Sequence, residues 1–213
     1  MTCRQPALTD PRRKSRRNLG VGKLARVAVL ALSLPALSGC TGAVVGAGAV
    51  AGLAAFEERP VKTIARDTKI SAQLRIALLE KSETHFAKVG IEVFEGRVLL
   101  TGVVPDEQMR ADAVAVSWKI VGVKEVLNEL SIGEHGISEI AKDSWITAQL
   151  TSKITFDKHI RAINYVIDTV AGTVYLIGIA QNQAELDRVI AHARSVGYVQ
   201  KVISHVRVKP NTG

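Results

Sequence analysis

The sequence predicts an α+β protein built from two tandem copies of one αββαβ domain, each a small mixed sheet packed on two helices. A repeat with a constant offset of 76 residues is the first observation, because Asp67–Leu74 aligns with Asp143–Leu150 and Gly96–Gly102 aligns with Gly172–Gly178. The second observation is that the spacing of apolar residues changes within each copy. It is helical after Asp67 or Asp143, and it is typical of a strand in Gly96–Gly102 or Gly172–Gly178.

The first copy is predicted to span residues 67–132. Asp67 stands where it would cap a helix, and the same role is expected for Asp143 in the second copy. The apolar stripe of that helix is formed by Ile70, Leu74 and Leu78. Two strands follow, over about 89–94 and 97–104, joined by a turn at Glu95-Gly96, where glycine permits a positive φ. A second helix from Pro105 or Asp106 and a last strand over 123–132 complete the copy.

The second copy is predicted to span residues 143–209, after a linker at 133–142. Its first helix carries a stripe of Ile146, Leu150 and Ile154. Its hairpin turns at Ala171-Gly172, and its last strand covers 199–208. Domains of this size bury a modest core. Because the linker is short, we expect the two copies to touch and to stabilise each other.

The amino-terminal part has the features of a secretory signal, here residues 1–39. Basic residues precede the apolar run Val27–Leu37, and small residues follow immediately before Cys40. Leu37-Ser38-Gly39-Cys40 resembles the lipobox of bacterial lipoproteins, which implies cleavage before Cys40 and acylation of its thiol and its new amino group. The alternative is a buried free thiol after an uncleaved helix.

Two features beside the signal leave alternatives open. Ser15–Leu19 faintly resembles a twin-arginine signal, but Val21 also fits as the true start of an ordinary signal. Residues 40–66 are predicted to be the lipidated cysteine followed by a Gly/Ala-rich tether. Thr41–Phe56 contains no charge, but its sixteen residues are fewer than the ~20 of a spanning helix. It is interpreted as a flexible tether, or as a segment whose glycines permit close helix contacts.

The charge of the whole chain is misleading about its partners. The net charge is +8, but residues 1–39 contain eight basic and one acidic residue, so the mature chain would have a charge of +1. A groove for nucleic acid needs clustered Lys and Arg, so no nucleic-acid partner is expected. Cys3 leaves with the signal and Cys40 is acylated, so no disulfide forms within the mature chain. No Cys/His group has zinc-like spacing, and no cofactor is predicted.

The two hairpins, together with the αββαβ order, resemble BON domains. Both copies contain Gly-x-Val-x-Leu-x-Gly, and the first has the Gly-Val-x-x-Val ending at Gly122–Val126. With the lipobox and the tether, the arrangement is similar to the dual-BON lipoproteins of the DolP type, and so is the segment Asp143–Thr147. The resemblance implies an outer-membrane lipoprotein facing the periplasm that binds anionic phospholipid through its second BON domain and supports envelope integrity.

Differences between the copies indicate where function lies, since shared positions mostly serve the fold. Trp145 replaces Lys69 and lies about 100° from the apolar stripe of its helix. A tryptophan on a polar face suits a membrane interface, although packing against the other domain is the alternative. The candidate lipid-contact residues are Ser144, Trp145, Ala148, Gln149, Ser152, Lys153 and Phe156.

Three further patterns complete the set of candidate residues. Residues 67–132 have a net charge of −2 and residues 143–209 have +3, which favours orientation of the second copy toward an anionic surface. Trp118, late in a helix, is expected to pack between the domains. The histidines are scattered and are expected to be solvated.

The sequence therefore favours a non-enzymatic, lipid-anchored periplasmic protein. No nucleophile elbow, metalloprotease motif or phosphate loop is present, and a hydrolase is a remote alternative. The expected partners are phosphatidylglycerol, cardiolipin and the outer membrane. The main alternative is a protein-interaction adaptor beside an envelope assembly machine, which would use exposed strand edges or Trp145 as a hot spot.

Overall fold

The computed structural model describes residues 57–82, 86–87, 89–134 and 136–210. The first copy consists of α1 (Val61–Lys81), β1 (Gly90–Phe94), β2 (Arg97–Val104), α2 (Glu107–Lys119) and β3 (Glu125–Ile132). The second consists of α3 (Ile137–Phe156), β4 (Tyr165–Val170), β5 (Thr173–Ala180), α4 (Gln183–Arg194) and β6 (Lys201–Val208). The predicted α+β tandem repeat is confirmed. The predicted signal, Cys40 and the tether as far as residue 56 lie outside the described residues.

Each copy forms a three-stranded mixed sheet with its second strand in the centre. β1 pairs antiparallel with β2 through a tight hairpin, and β2 pairs parallel with β3 across the helix α2. The second copy repeats this pattern down to its register: Val98 pairs with Val126 in the first sheet, and Val174 pairs with Val202 in the second. The sequence repeat is therefore also a repeat of backbone geometry.

One face of each sheet is covered by the two helices of its own copy. The predicted stripes of α1 and α3 are almost completely buried there, as Leu74 and Leu150 show with 0% exposure. They pack on inward-facing strand residues such as Val98 and Leu100, or Val174 and Leu176. Burial of these stripes therefore contributes to the hydrophobic stabilisation of each copy.

The opposite faces of the two sheets pack against each other. One apolar cluster contains side chains from both copies: Phe94, Leu99, Val170, Tyr175 and Ile177. β2 is consequently buried on both faces, and its nearly continuous apolar run is typical of such a strand. The copies touch, as expected, and the layers follow the order helix, sheet, sheet, helix.

Polar contacts around this cluster define how the two sheets are oriented. Arg97 donates from Nη1 to the carbonyl oxygen of His205 at 2.8 Å. The His205 ring lies 2.9 Å from Glu129 Oε1, and Arg207 Nη2 lies 3.5 Å from Glu125 Oε2. Residue numbers rise along β6 as they fall along β3, so the facing strands run in opposite directions.

The predicted role of the two shared aspartates as helix caps is wrong. α1 begins at Val61 and α3 at Ile137, so the helices also occupy part of the predicted tether and of the predicted linker. Asp67 and Asp143 instead lie within the helices and are buried. Each accepts hydrogen bonds of 2.8–2.9 Å from the two backbone N–H groups of the hairpin turn in its own copy.

The conformation of the hairpin turns explains why an aspartate is needed there. Both residues of each turn have positive φ, 57° and 79° at Glu95 and Gly96 and 49° and 74° at Ala171 and Gly172, as in a type I′ turn. Their N–H groups need an acceptor once buried. The carboxylate supplies two oxygens, and thereby ties the first helix of each copy to its hairpin.

Residues 57–60, here called the strap, connect α1 to the second copy. The backbone N–H of Glu58 donates to Asn164 Oδ1 at 3.0 Å, and its carboxylate lies 2.6 Å from both Arg161 and Lys209. These contacts, with Lys209 as the largest cause, hold the pKa of Glu58 below its usual range. Arg59 covers the Phe94 ring at 4.0 Å. The strap therefore contacts both copies at the end where β6 finishes.

Candidate lipid-binding surface

Trp145 lies on the solvent side of α3 and packs within its own copy. Its side chain is 45% exposed, and its ring meets the Tyr198 ring edge-to-face, with centroids 5.8 Å apart and planes at 73°. Gly197 faces the same indole, since a Cβ there would lie 3.8 Å from the ring. The loop between α4 and β6 thus orients the tryptophan while leaving one face open.

Tyr198 was not among the predicted site residues, and its backbone is unusual. Its φ is +67°, although it is not glycine, and the repeat places it opposite Gly122, whose φ is +102°. A β-carbon in this region costs roughly 1–2 kcal/mol. The sequence contains an indication of this difference. The repeat aligns Gly122 with position 198, but the second copy has its glycine at position 197. Strain of this kind is a reason to look for a function of the side chain.

The two rings form one wall of a depression in the surface. A volume of about 480 Å³ is lined by Ala141, Lys142, Trp145 and Tyr198. It adjoins a second depression of about 390 Å³, which reaches the turn at Ala171 and Gly172 and includes Glu139. Glu139 is engaged by the backbone N–H of Gly136 at 2.6 Å. The arrangement offers an aromatic surface beside an ammonium group.

The other predicted lipid-contact residues are all exposed on α3. Ala148, Gln149 and Ser152 follow Trp145 at helical spacing and therefore lie on the same face of the helix. Ser144 donates to the carbonyl of Ile140 at 2.9 Å. Phe156 is 85% exposed, but it lies eleven residues along the helix from Trp145, about 16 Å away. The exposed remainder consists of Ala148, Gln149, Ser152 and Lys153. The depression adds Lys142 and Tyr198, which were not predicted, to the surroundings of Trp145.

The first turns of α3 add apolar surface that the sequence analysis assigned to a linker. Ile137 is 86% exposed and Ile140 is 41% exposed. Positions 137, 141 and 145 succeed one another at helical spacing, so Ile137 and Ala141 continue the stripe that ends at Trp145. Apart from Phe156 at the carboxyl end, the large exposed apolar side chains of α3 therefore lie in its amino-terminal half.

Two other expectations from the sequence are wrong. Trp118 is 53% exposed and does not fill the space between the sheets, since the shared cluster there is built from strand residues. Two histidines are paired rather than simply solvated: His205 with Glu129 between the copies, and His192 with Asp157 at 2.8 Å. Each histidine is distant in sequence from its carboxylate partner, so no local sequence pattern predicts these pairs.

The chemistry available at this surface is that of binding. Among the described residues, no group of three His, Cys, Asp or Glu side chains is arranged to hold a metal ion. The helices within residues 57–82, 86–87, 89–134 and 136–210 also lack an apolar stretch sufficient to cross a bilayer. Aromatic rings, a lysine and an open depression suit an amphipathic ligand.

Comparison with known proteins identifies relatives over most of the chain. An uncharacterised protein encoded in the gshII 5′ region of Anaplasma centrale is 44% identical over 128 residues, covering 58% of this chain and 83% of that protein. The outer membrane lipoprotein DolP of Haemophilus influenzae is 33% identical over 183 residues, covering 84% of this chain and 94% of DolP. The 21 kDa hemolysin of Actinobacillus pleuropneumoniae is 29% identical, covering 71% of this chain and 73% of the hemolysin.

The family model of the BON domain matches the chain twice, at residues 66–134 and 142–210. The two matches include both sheets and all of their helices except the first residues of α1 and α3, and together they cover more than half of the chain. The hairpins and the αββαβ order that the resemblance rested on are therefore those of the family. The chain belongs to the BON domain family, with two BON domains in tandem.

Proposed function

We propose that this chain is an outer-membrane lipoprotein, anchored at the periplasmic face through acyl chains on Cys40, whose second BON domain binds anionic phospholipid and thereby supports envelope integrity. The lipobox-like stretch before Cys40 and the similarity to an outer membrane lipoprotein over 94% of its length support the anchor. Two acyl chains attach a protein durably, whereas one does not. The proposed role is binding, not catalysis.

The exposed pair of Trp145 and Tyr198 carries the proposal. Amphipathic rings favour the boundary between lipid and water, where the apolar face is buried and the polar group stays hydrated. The first domain has Lys69 and Gly122 at the equivalent positions, so the aromatic pair is specific to the second domain. The strained backbone at Tyr198 is consistent with a side chain retained for contact rather than for folding.

Charge supports an anionic lipid as the ligand. Lys142 lines the depression beside Trp145, and residues 143–209 have a net charge of +3. A lysine or arginine near an anionic bilayer contributes about 1 kcal/mol. Phosphatidylglycerol and cardiolipin carry that charge, so we propose them as the preferred headgroups.

Residues 40–56, which precede the strap, must be long enough for Cys40 to be anchored in the membrane while Trp145 contacts the same membrane. Glu58 lies beside Lys209 after the end of β6, whereas Tyr198 precedes the start of β6. Eight strand residues separate the two ends by about 25 Å. Residues 40–56 number seventeen and extend to roughly 55 Å at most. The sequence therefore contains enough chain for Trp145 to reach the membrane that holds Cys40.

Co-sedimentation with vesicles tests the proposal. Residues 57–213 are mixed with phosphatidylcholine vesicles and with phosphatidylglycerol/cardiolipin vesicles at low and high salt. We expect salt-sensitive binding to the anionic vesicles alone. Trp145→Glu removes on the order of 100 Å² of apolar contact, about 2 kcal/mol, and should weaken binding roughly thirtyfold. Trp118→Glu is the matched control, because it changes an exposed tryptophan of the first domain.

Equal binding by the two variants would refute the assignment of the site to the second domain. An adaptor function is the alternative, and the exposed Trp118 with Val121, which is 89% exposed, favours it. Capture of an envelope protein that is lost in Trp118→Glu and survives Trp145→Glu, with no vesicle binding by the native chain, would support that alternative.

A further inference from the structure

Two carboxyl groups occupy equivalent positions of the two domains and face the same interdomain contact. Glu92 in β1 and Asp168 in β4 are related by the 76-residue offset. Their cross-strand partners are Leu99 and Tyr175, which both belong to the apolar cluster between the sheets. Residues directly opposite on paired strands share a face, so both carboxyls point into the interface, where a charge is costly.

The hydrogen bonds available to these carboxyls are few. Asp168 accepts from the Thr101 hydroxyl across the interface and from the backbone N–H of Thr169 at 2.9 Å. Glu92 has no hydrogen bond or ion pair with any other residue that the structure describes. Arg75 attracts it electrostatically, but the Arg75 guanidinium donates to the carbonyl of Val89 at 2.6 Å.

The sheets approach closely at this point. A Cβ on Gly90 would lie 2.1 Å from Thr101 Oγ1 and 2.8 Å from Asp168 Oδ2. A larger residue at position 90 would therefore displace the side chains of Thr101 and Asp168. Both carboxyls are partly buried while the sheets stay together. Separation of the sheets would expose both groups at once.

We propose that Glu92 and Asp168 form a pH-dependent latch, which holds the two BON domains together when Glu92 is protonated and loosens when Glu92 ionises. The contact between the two sheets would then open and close with pH, and it uses none of the residues of the proposed lipid-binding surface. Opening would also expose the apolar cluster shared by the two sheets. The device depends on two acidic positions that the repeat places at the same interface, close enough for Asp168 to repel an ionised Glu92.

The electrostatics agree with this geometry. Burial, together with repulsion from Asp168, raises the pKa of Glu92 to about 7 against the opposing attraction of Arg75. Burial also raises the pKa of Asp168, with a contribution from Asp143, whereas Thr101 opposes it. A raised pKa means that the closed state binds the proton more tightly. Closure is therefore strongest below the ordinary pKa of 4.5 and is weakened as the pH rises to about 7.

Other titratable and charged groups face the same region and must be separated from Glu92. They are Arg75 on α1, Asp143 on α3, Tyr175 on β5, and the pair of Glu129 on β3 with His205 on β6. Histidine is the side-chain type that ordinarily changes charge between pH 5 and pH 8, and His205 belongs to this set. A substitution of His205 is therefore a necessary control.

The experiment compares urea unfolding of the full chain in detergent at pH 5 and pH 7.5 with that of Glu92→Gln. We expect equal midpoints at pH 5 and a clearly higher midpoint for Glu92→Gln at pH 7.5, because glutamine does not ionise. The ratio of open to closed forms should change on the order of a hundredfold between these pH values in the native chain. Glu80→Gln on the exposed side of α1 and His205→Gln should retain the native dependence.

A distance measurement shows where the change occurs. Ala115→Cys and Ala191→Cys are exposed and related by the repeat, so spin labels there report on separation of the domains, with Cys3 and Cys40 changed to serine. The distance should lengthen or broaden from pH 5 to pH 7.5, and Glu92→Gln should prevent this. The same pH dependence of unfolding in native chain and Glu92→Gln would overturn the proposal, as would its loss in His205→Gln.

Discussion

The two BON domains share a backbone but differ at one corner of the surface. In the first domain this corner contains Lys69 and Gly122, and in the second it contains Trp145 and Tyr198. The backbone of both loops has a positive φ, 102° at Gly122 and 67° at Tyr198. The second domain thus accepts strain at a position where the first uses the residue that the geometry favours.

This difference teaches how a tandem repeat separates folding from function. Polar residues at equivalent positions of both domains lie inside the fold: Asp67 and Asp143 are buried and bind the hairpin turns. Glu92 and Asp168 are partly buried and face the contact between the sheets. Lys69 and Trp145, which occupy equivalent positions but differ in chemistry, lie on the surface. The comparison of one half of the chain with the other therefore replaces part of what an alignment would supply.

The largest effect is expected where the domains are alike. Asp143→Ala removes the acceptor of two backbone N–H groups and should lower the free energy of unfolding by about 2–4 kcal/mol. Asp67→Ala should have a similar cost in the first domain, because the contacts have the same geometry. Urea unfolding measures both, and asparagine at either position should cost less. A cost below 1 kcal/mol for either alanine would break the equivalence of the two domains.

A smaller effect on stability, with a clear effect on binding, is expected where the domains differ. Tyr198→Gly restores the residue of the first domain, and relief of about 1 kcal/mol of strain offsets the lost ring contact of about 0.5–1 kcal/mol. Stability should stay nearly constant while binding to anionic vesicles falls. Gly122→Ala is the converse control and should destabilise the first domain. Unchanged vesicle binding in Tyr198→Gly would remove Tyr198 from the site.

The smallest effect is expected at the strap, where Glu58 has partners in the second domain and its repeat equivalent, Glu134, is exposed. Glu58→Gln should lower the free energy of unfolding by less than about 1 kcal/mol at pH 7. The pKa of Glu58 is lowered, so its contribution is present above the ordinary value of 4.5 and disappears at lower pH. Thermal unfolding at pH 7 and pH 3.5 should show this, with Glu134→Gln unchanged.

Local patterns predicted the elements of the fold well and the roles of polar residues less well. The stripes on α1 and α3 follow from helical spacing, and the hairpins follow from glycines that permit positive φ. The roles of Asp67 and Asp143 were misjudged because an aspartate before an apolar stripe looks the same whether it caps its own helix or binds a turn 28 residues away. Lys142 and Tyr198 joined the candidate site only through a contact between α3 and a distant loop.

Residue spacing in the sequence predicted the two domains, their αββαβ order, the core stripes and Trp145 as the clearest difference between the copies. These features depend on residue spacing along the chain. The tertiary structure alone decided that the sheets pack face to face, that Tyr198 orients Trp145, and that Glu92 and Asp168 share an interface. Each of these depends on which distant surfaces are buried together, and periodicity along one segment carries no information about the neighbour that covers it.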